Sequence, residues 1–134
     1  MTQELVALMN EAGTGHLPER MGIEFVEATA ERVVARMPVR GNTQPYGLLH
    51  GGASVVLAET IGSTAAAMHA GTGRIAVGIE ISATHHRSAT TGYVTGVATQ
   101  LHGGRTIASY EIVITDDEGR RVCTSRLTCM LRDQ

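Results

Sequence analysis

The chain has 134 residues, 43% of them apolar, with a formal net charge of -2 and a pI near 6.3. That is enough for one domain with a core, which excludes a disordered chain. No basic cluster stands out, Trp is absent and there is a single Phe. Nucleic-acid binding as the main function is thereby excluded, since phosphate tracking needs a basic face and single-strand binding needs stacking aromatics.

Residues 3–12 carry Leu5, Leu8, Met9 and Ala12 at helical spacing, with Gly13 as a stop. Glu4 stands where a signal peptide would be basic, and no apolar run follows, so this segment does not read as a leader. Residues 16–21 read as a loop around Pro18. Residues 22–29 and 32–39 read as strands joined by a tight Ala30-Glu31 turn; in the second, Val33, Ala35, Met37 and Val39 alternate with more polar neighbours. Residues 40–49 form a turn-rich loop punctuated by Asn42, Pro45 and Gly47.

From Gly51 to Ala70 the sequence reads GGASVVLAETIGSTAAAMHA, in which Glu59 is the one formally charged residue. The stretch is long enough to cross a bilayer. Glu59, the Gly, Ser and Thr content and the lack of basic or aromatic flanks point instead to a fully buried helix. It ends near Gly71-Thr72-Gly73. Four strands follow. In 74–86, Ile75, Val77, Ile79 and Ile81 share a face; 92–102 and 105–115 are joined by a Gly103-Gly104 hairpin turn; 120–131 closes a single domain spanning 1–134. Cys123 and Cys129 would lie roughly 20 Å apart on one strand at about 3.3 Å per residue, too far to bridge. Two reduced thiols fit a cytoplasmic protein. The order predicts an α+β domain, an antiparallel sheet wrapped around one long buried helix.

A carboxylate among Val, Leu, Ile and Ala is costly to bury unless something needs it there. The His50-Gly51-Gly52 run upstream would leave free backbone N–H groups at a helix start, where developing negative charge is stabilised. An acid plus an oxyanion site suits acyl transfer. Metal chemistry is not indicated, because the adjacent His85 and His86 on a strand point to opposite faces.

The run GLLHGGASVVLAETIGS resembles the hotdog-fold acyl-CoA thioesterases, in the clade with a catalytic Glu on the long helix. That clade includes thioesterases acting on 4-hydroxybenzoyl-CoA and 1,4-dihydroxy-2-naphthoyl-CoA, and the enterobactin proofreading enzymes. Gln44-Pro45, ATHHRS at 83–88, Leu101-His102-Gly103 and Ser125-Arg126-Leu127 agree as well. The resemblance implies a hotdog fold and hydrolysis of an aromatic or bulky acyl-CoA, with an acyl carrier protein thioester as the alternative substrate. It implies no cofactor. It assigns Glu59 as nucleophile or general base and Gly51 as oxyanion donor, with Gln44, Ser63 and His50 assisting. It places His85, Arg87, Ser88 and His102 near the CoA nucleotide. A hotdog hydratase or dehydratase and a non-catalytic acyl-CoA-binding module are the competing readings.

Glu59 lies eight residues after Gly51, roughly 12 Å along a helix, so one thioester carbonyl cannot touch both within one helix. Two such helices packed antiparallel across a twofold axis would bring Glu59 of one subunit to Gly51 of the other. A homodimer with shared sites is therefore the minimal active unit, and the resemblance implies further assembly into a homotetramer.

Overall fold

The computed structural model describes residues 2–134. Its elements run α1 (Thr2–Ala12), α2 (Leu17–Arg20), β1 (Glu24–Ala28), β2 (Arg32–Pro38), α3 (Gly51–Ala70), β3 (Arg74–His85), β4 (Tyr93–Gly103), β5 (Ile107–Asp116) and β6 (Arg121–Asp133). The six strands form one sheet in the order β1-β2-β4-β5-β6-β3, every neighbouring pair antiparallel. Helix α3 lies across it, touching β2, β3, β4, β5 and β6.

Helix α3 buries one side only. Ala53, Ser54, Leu57, Ala58, Ile61, Gly62, Ala65 and Ala66 face the sheet, at the i, i+3 and i+4 spacing of a helix stripe. Val55, Val56, Glu59, Thr60, Ser63 and Thr64 on the other side are half-buried. The expectation of a fully buried helix is corrected accordingly, because one sheet covers one helix face. Two glycines set the closeness of the packing. A Cβ on Gly62 would lie 2.7 Å from Leu127 Cδ2, and one on Gly96 of β4 would lie 3.0 Å from Ile61 Cδ1. Among the described residues no helix is long and apolar enough to cross a membrane.

Three local departures have physical causes. Residues 17–20, expected as loop, form one helical turn with Pro18 at its start, where a missing N–H costs nothing. In α1 the half-buried stripe is Leu5, Val6 and Met9, while Leu8 is 56% exposed and Ala12 is also exposed. The side chain of Asn10 decides this orientation: its Oδ1 accepts the Phe25 N–H at 2.7 Å and its Nδ2 donates to the Phe25 carbonyl at 3.3 Å, so α1 caps the edge of β1. In β3 a bulge pairs Gly78 with Cys129 and Glu80 with Thr128, leaving Ile79 as the extra residue. Ala76, Ile81 and Ala83 consequently pack on the core, while Val77 and Ile79 turn outward.

The β4–β5 turn also differs. Gly103 still pairs with Ala108, and the Gly104 N–H bonds to the Ile107 carbonyl at 2.8 Å, so the turn runs through Arg105 and Thr106. Neither glycine has a positive φ. The small size of Gly103 instead admits the end of α3: a Cβ there would lie 2.8 Å from the His69 ring, whose Nε2 donates to the Gly104 carbonyl at 2.7 Å. Cys123 and Cys129 are both free and buried on β6.

Gly62→Val tests the helix–sheet fit. Leu127 is fully buried and has nowhere to move, so overpacking should lower stability by about 1–3 kcal/mol in chemical denaturation followed by circular dichroism. An unchanged midpoint would contradict the packing described.

Candidate active site

The loop before α3 is held from three directions. Asn42 Nδ2 donates to the Met21 and Pro38 carbonyls, both at 2.8 Å, and the Asn42 backbone carbonyl accepts the His50 N–H at 2.9 Å. The Leu49 N–H bonds to the Ala89 carbonyl at 2.8 Å. Within this frame, Gln44 Oε1 accepts the N–H groups of Tyr46 and Leu48. Two backbone donors on one atom identify it as the oxygen and leave the Gln44 NH₂ group as a free donor. Tyr46 itself is 88% exposed.

His50 is the N-cap of α3, with φ -67° and ψ 130°, and its Nδ1 accepts the Gly52 N–H at 2.8 Å. An accepting Nδ1 carries no proton, so the ring proton sits on Nε2. The Ala53 and Ser54 N–H groups bond to the His50 carbonyl. That leaves the Gly51 N–H, which has no acceptor among the described residues. It points out of the helix N-terminus, where the aligned peptide dipoles amount to about half a positive charge. The imidazole of His85 lies over Gly51: a Cβ there would come within 2.9 Å of His85 Nε2, so glycine is what allows the approach.

A cleft of about 360 Å³ opens at this helix end. Gln44, Gly51, His85, Arg87 and Ser88, named separately from the sequence, line it together, with Ser54 and His86 beside them. His86 Nε2 meets Thr124 Oγ1 at 2.9 Å, and its backbone N–H bonds to the Val122 carbonyl at 2.7 Å, which pins the strand end that carries Arg87. His102 does not join them. It lies at the far end of β4, on the His69 side, near the opposite end of a helix about 30 Å long.

Glu59 and Ser63 stand one turn apart on α3, outside its fully buried stripe and at the border with β3 and β6, and neither lines the cleft. The Glu59 carboxylate is half-buried, with no hydrogen bond or ion pair among the described residues. It rests on Gly78, where an added Cβ would lie 2.5 Å from Oε2. The bulge in β3 therefore makes a seat for the carboxylate. Gly78 was missed in the sequence, although an isolated glycine within an apolar strand pattern signals either a bulge or a close approach. On the inner side, burial pushes the Cys129 thiol up, the Ser63 hydroxyl pulls it back as a donor, and the charge of Glu59 pushes it up again. This thiol is a buried packing group, not a nucleophile. Among the described residues no three His, Cys, Asp or Glu side chains converge as metal ligands.

Residues 46–123 match the family model of the thioesterase superfamily. The chain belongs to this superfamily. It is 50% identical over 121 residues to the proofreading thioesterase EntH of Cronobacter turicensis, spanning 90% of this chain and 88% of that protein. A thioesterase structure from Haemophilus influenzae aligns at a TM-score of 0.92 and 37% identity, over 96% of this chain and 90% of the other. A glutamate-to-alanine variant of a Staphylococcus aureus protein aligns at 0.86 and 34% identity, over 89% of this chain and all of the other. That protein, called a thioesterase, has also been solved as a glutamine-to-alanine variant, and the two substituted residues are fifteen positions apart. Gln44 and Glu59 have the same separation. The chain is a thioester hydrolase with the hotdog fold: a long helix laid on an antiparallel sheet.

Proposed function

We propose that this thioesterase hydrolyses aromatic or otherwise bulky acyl thioesters of CoA, with carrier-protein thioesters as the alternative delivery, in a site shared by two subunits. The observation that carries the reading is the Glu59 carboxylate, unpaired on the uncovered face of α3 and roughly 12 Å along the helix from the free Gly51 N–H. A twofold dimer with antiparallel helices closes that gap between chains. The sheet favours such a dimer at one edge. Asn10 of α1 caps β1, whereas the twelve-residue β3 has backbone groups free on its outer side and the exposed Val77 and Ile79 beside them. Assembly of such pairs into a homotetramer is part of the same reading. Two free, buried thiols fit a cytoplasmic setting.

In the chemistry, the Gly51 N–H and the helix dipole polarise the thioester carbonyl and hold the oxyanion as it forms. Glu59 of the other subunit either takes a proton from the water that attacks the carbonyl carbon or attacks it directly, giving an anhydride that water then opens. The C–S bond breaks and CoA leaves as the thiolate. The Gln44 NH₂ group and the Ser63 hydroxyl hold the water, and His50 shapes the oxyanion end. Arg87, with His85 and Ser88, takes the CoA phosphates, for which a guanidinium fork is suited.

Free-thiol release from benzoyl-CoA tests the central assignment. Glu59→Ala should lower kcat by about 10²–10⁴-fold, the usual contribution of a positioned base. Turnover within a few-fold of wild type would remove Glu59 from the chemistry. Arg87→Ala should raise KM for benzoyl-CoA and leave that for a benzoyl-pantetheine thioester nearly unmoved; equal effects on both substrates would place the CoA phosphates elsewhere.

A further inference from the structure

The stripe that α3 buries against the sheet is alanine, glycine, leucine and isoleucine except at one position, Ser54. Ser54 is 1% exposed, yet its hydroxyl makes no hydrogen bond among the described residues. Comparable hydroxyls nearby are taken up. Thr64 Oγ1 donates to the Thr60 carbonyl four residues back, and Ser125 Oγ donates to the Ser82 carbonyl, both at 2.7 Å. Ser54 lacks that outlet. The carbonyl four residues before it belongs to His50 and already accepts the Ala53 and Ser54 N–H groups, at 2.9 and 3.3 Å.

The hydroxyl is not sealed in. Among the described residues no fully enclosed side-chain oxygen lacks a partner, so the Ser54 oxygen opens on the cleft, which it lines together with Gly51. A hydroxyl this deep is costly to leave unpaired, and an occupant of the cleft is the partner left to it. Ser54 stands three residues after Gly51, roughly 4.5 Å along the axis, and such a pair shares a helix face. A helical Cβ tilts toward the N-terminus, which carries the Ser54 hydroxyl back toward the free Gly51 N–H. Leu48, Leu49 and Val122 make the apolar part of the cleft lining around them. Shielded from water, a fixed donor acts strongly on charge that develops beside it.

We propose that Ser54 is a catalytic residue whose hydroxyl is the second donor, beside the Gly51 N–H, to the thioester carbonyl oxygen. The proposal rests on the assignment of Gly51 to that oxygen. As the nucleophile adds to the carbonyl carbon, the π pair of the C=O bond moves onto oxygen, and both donors tighten on it. When the C=O bond re-forms, the C–S bond breaks and its pair leaves with the CoA sulfur. The Ser54 hydroxyl keeps its proton throughout.

Thiol release from benzoyl-CoA by Ser54→Ala and Ser54→Cys is the first test. Both variants should lose about 10²–10³-fold in kcat with little change in KM, as for an oxyanion donor whose bond strengthens in the transition state. Cys fills the serine site but donates weakly, so it separates the lost donor from lost volume. The melting temperature of Ser54→Ala should stay at or above that of wild type, since no hydrogen bond within the fold is lost. A kcat within a few-fold of wild type in both variants would overturn the proposal. Isotope-edited infrared spectra of benzoyl-CoA bound to Glu59→Ala then read the carbonyl itself. Its stretch should fall in frequency on binding, and adding Ser54→Ala should shrink that shift. An equal shift with and without the Ser54 hydroxyl would overturn the role of Ser54 alone. No shift in Glu59→Ala itself would remove the Gly51 N–H from the carbonyl oxygen, and the proposal with it.

Discussion

Helix α3 approaches the sheet closely enough for Leu127 to fill the space over Gly62 and for Ile61 to reach Gly96. Glycine on each side of the contact removes the Cβ atoms that would hold helix and sheet apart, and a flat, small-residue stripe takes their place. Because the sheet covers the helix from one side only, the same closeness leaves Val55, Val56, Glu59 and Ser63 on a face that the chain cannot bury by itself. The bulge at Gly78 extends this logic to the site, since removing one more Cβ seats the Glu59 carboxylate against β3 without an ion-pair partner. A half-buried carboxylate left without a partner in that position is the group the proposed chemistry uses.

The two halves of the proposed chemistry sit at different places on one helix. At its start, the cap made by His50 satisfies Gly52, the His50 carbonyl satisfies Ala53 and Ser54, and the Gly51 amide is left over. The cleft around that amide gathers the polar and cationic groups suited to a nucleotide, and the carboxylate stands more than two turns away. Sheet edges and helix faces favour the same solution. Asn10 occupies the Phe25 N–H and carbonyl in the middle of the short edge strand β1, so the edge left for extension is β3, the strand on which Glu59 rests.

Most of this was legible in the sequence where one element carried its own signal. The long helix, its start at His50-Gly51-Gly52 and the six strands follow from periodicity and punctuation. The resemblance put Gln44 and Gly51 with catalysis and His85, Arg87 and Ser88 with the CoA nucleotide; that one cleft is lined by all five was not legible in the sequence. What escaped was whatever a second element decides. The face of α1 is set by Asn10 reaching β1, so Leu8 turns out although its spacing matches the stripe. The face of β3 is set by a bulge, which turns Val77 and Ile79 outward although they alternate with Ala76 and Gly78. Gly103 and Gly104 look like a hairpin turn; instead Gly103 makes room for His69 and Gly104 accepts its hydrogen bond. His102 looks adjacent to the nucleotide residues by resemblance, yet β4 carries it to the other end of the helix.

The account stands on Glu59 of one chain acting with the Gly51 amide of another, and subunit mixing tests that directly. Gly51→Pro removes the amide proton and adds a Cβ that pushes the His85 ring aside; proline is otherwise tolerated at the first helical position, and His50 already has the extended backbone that a following proline favours. The exposed His85 ring turns aside for it. Glu59→Ala removes only the carboxylate. Each variant alone should be nearly inactive. Co-refolded in equal amounts, they should recover about a quarter of wild-type activity, since half the dimers are mixed and each mixed dimer has one site with both groups intact. A mixture no more active than the mean of its two parents would contradict the shared site.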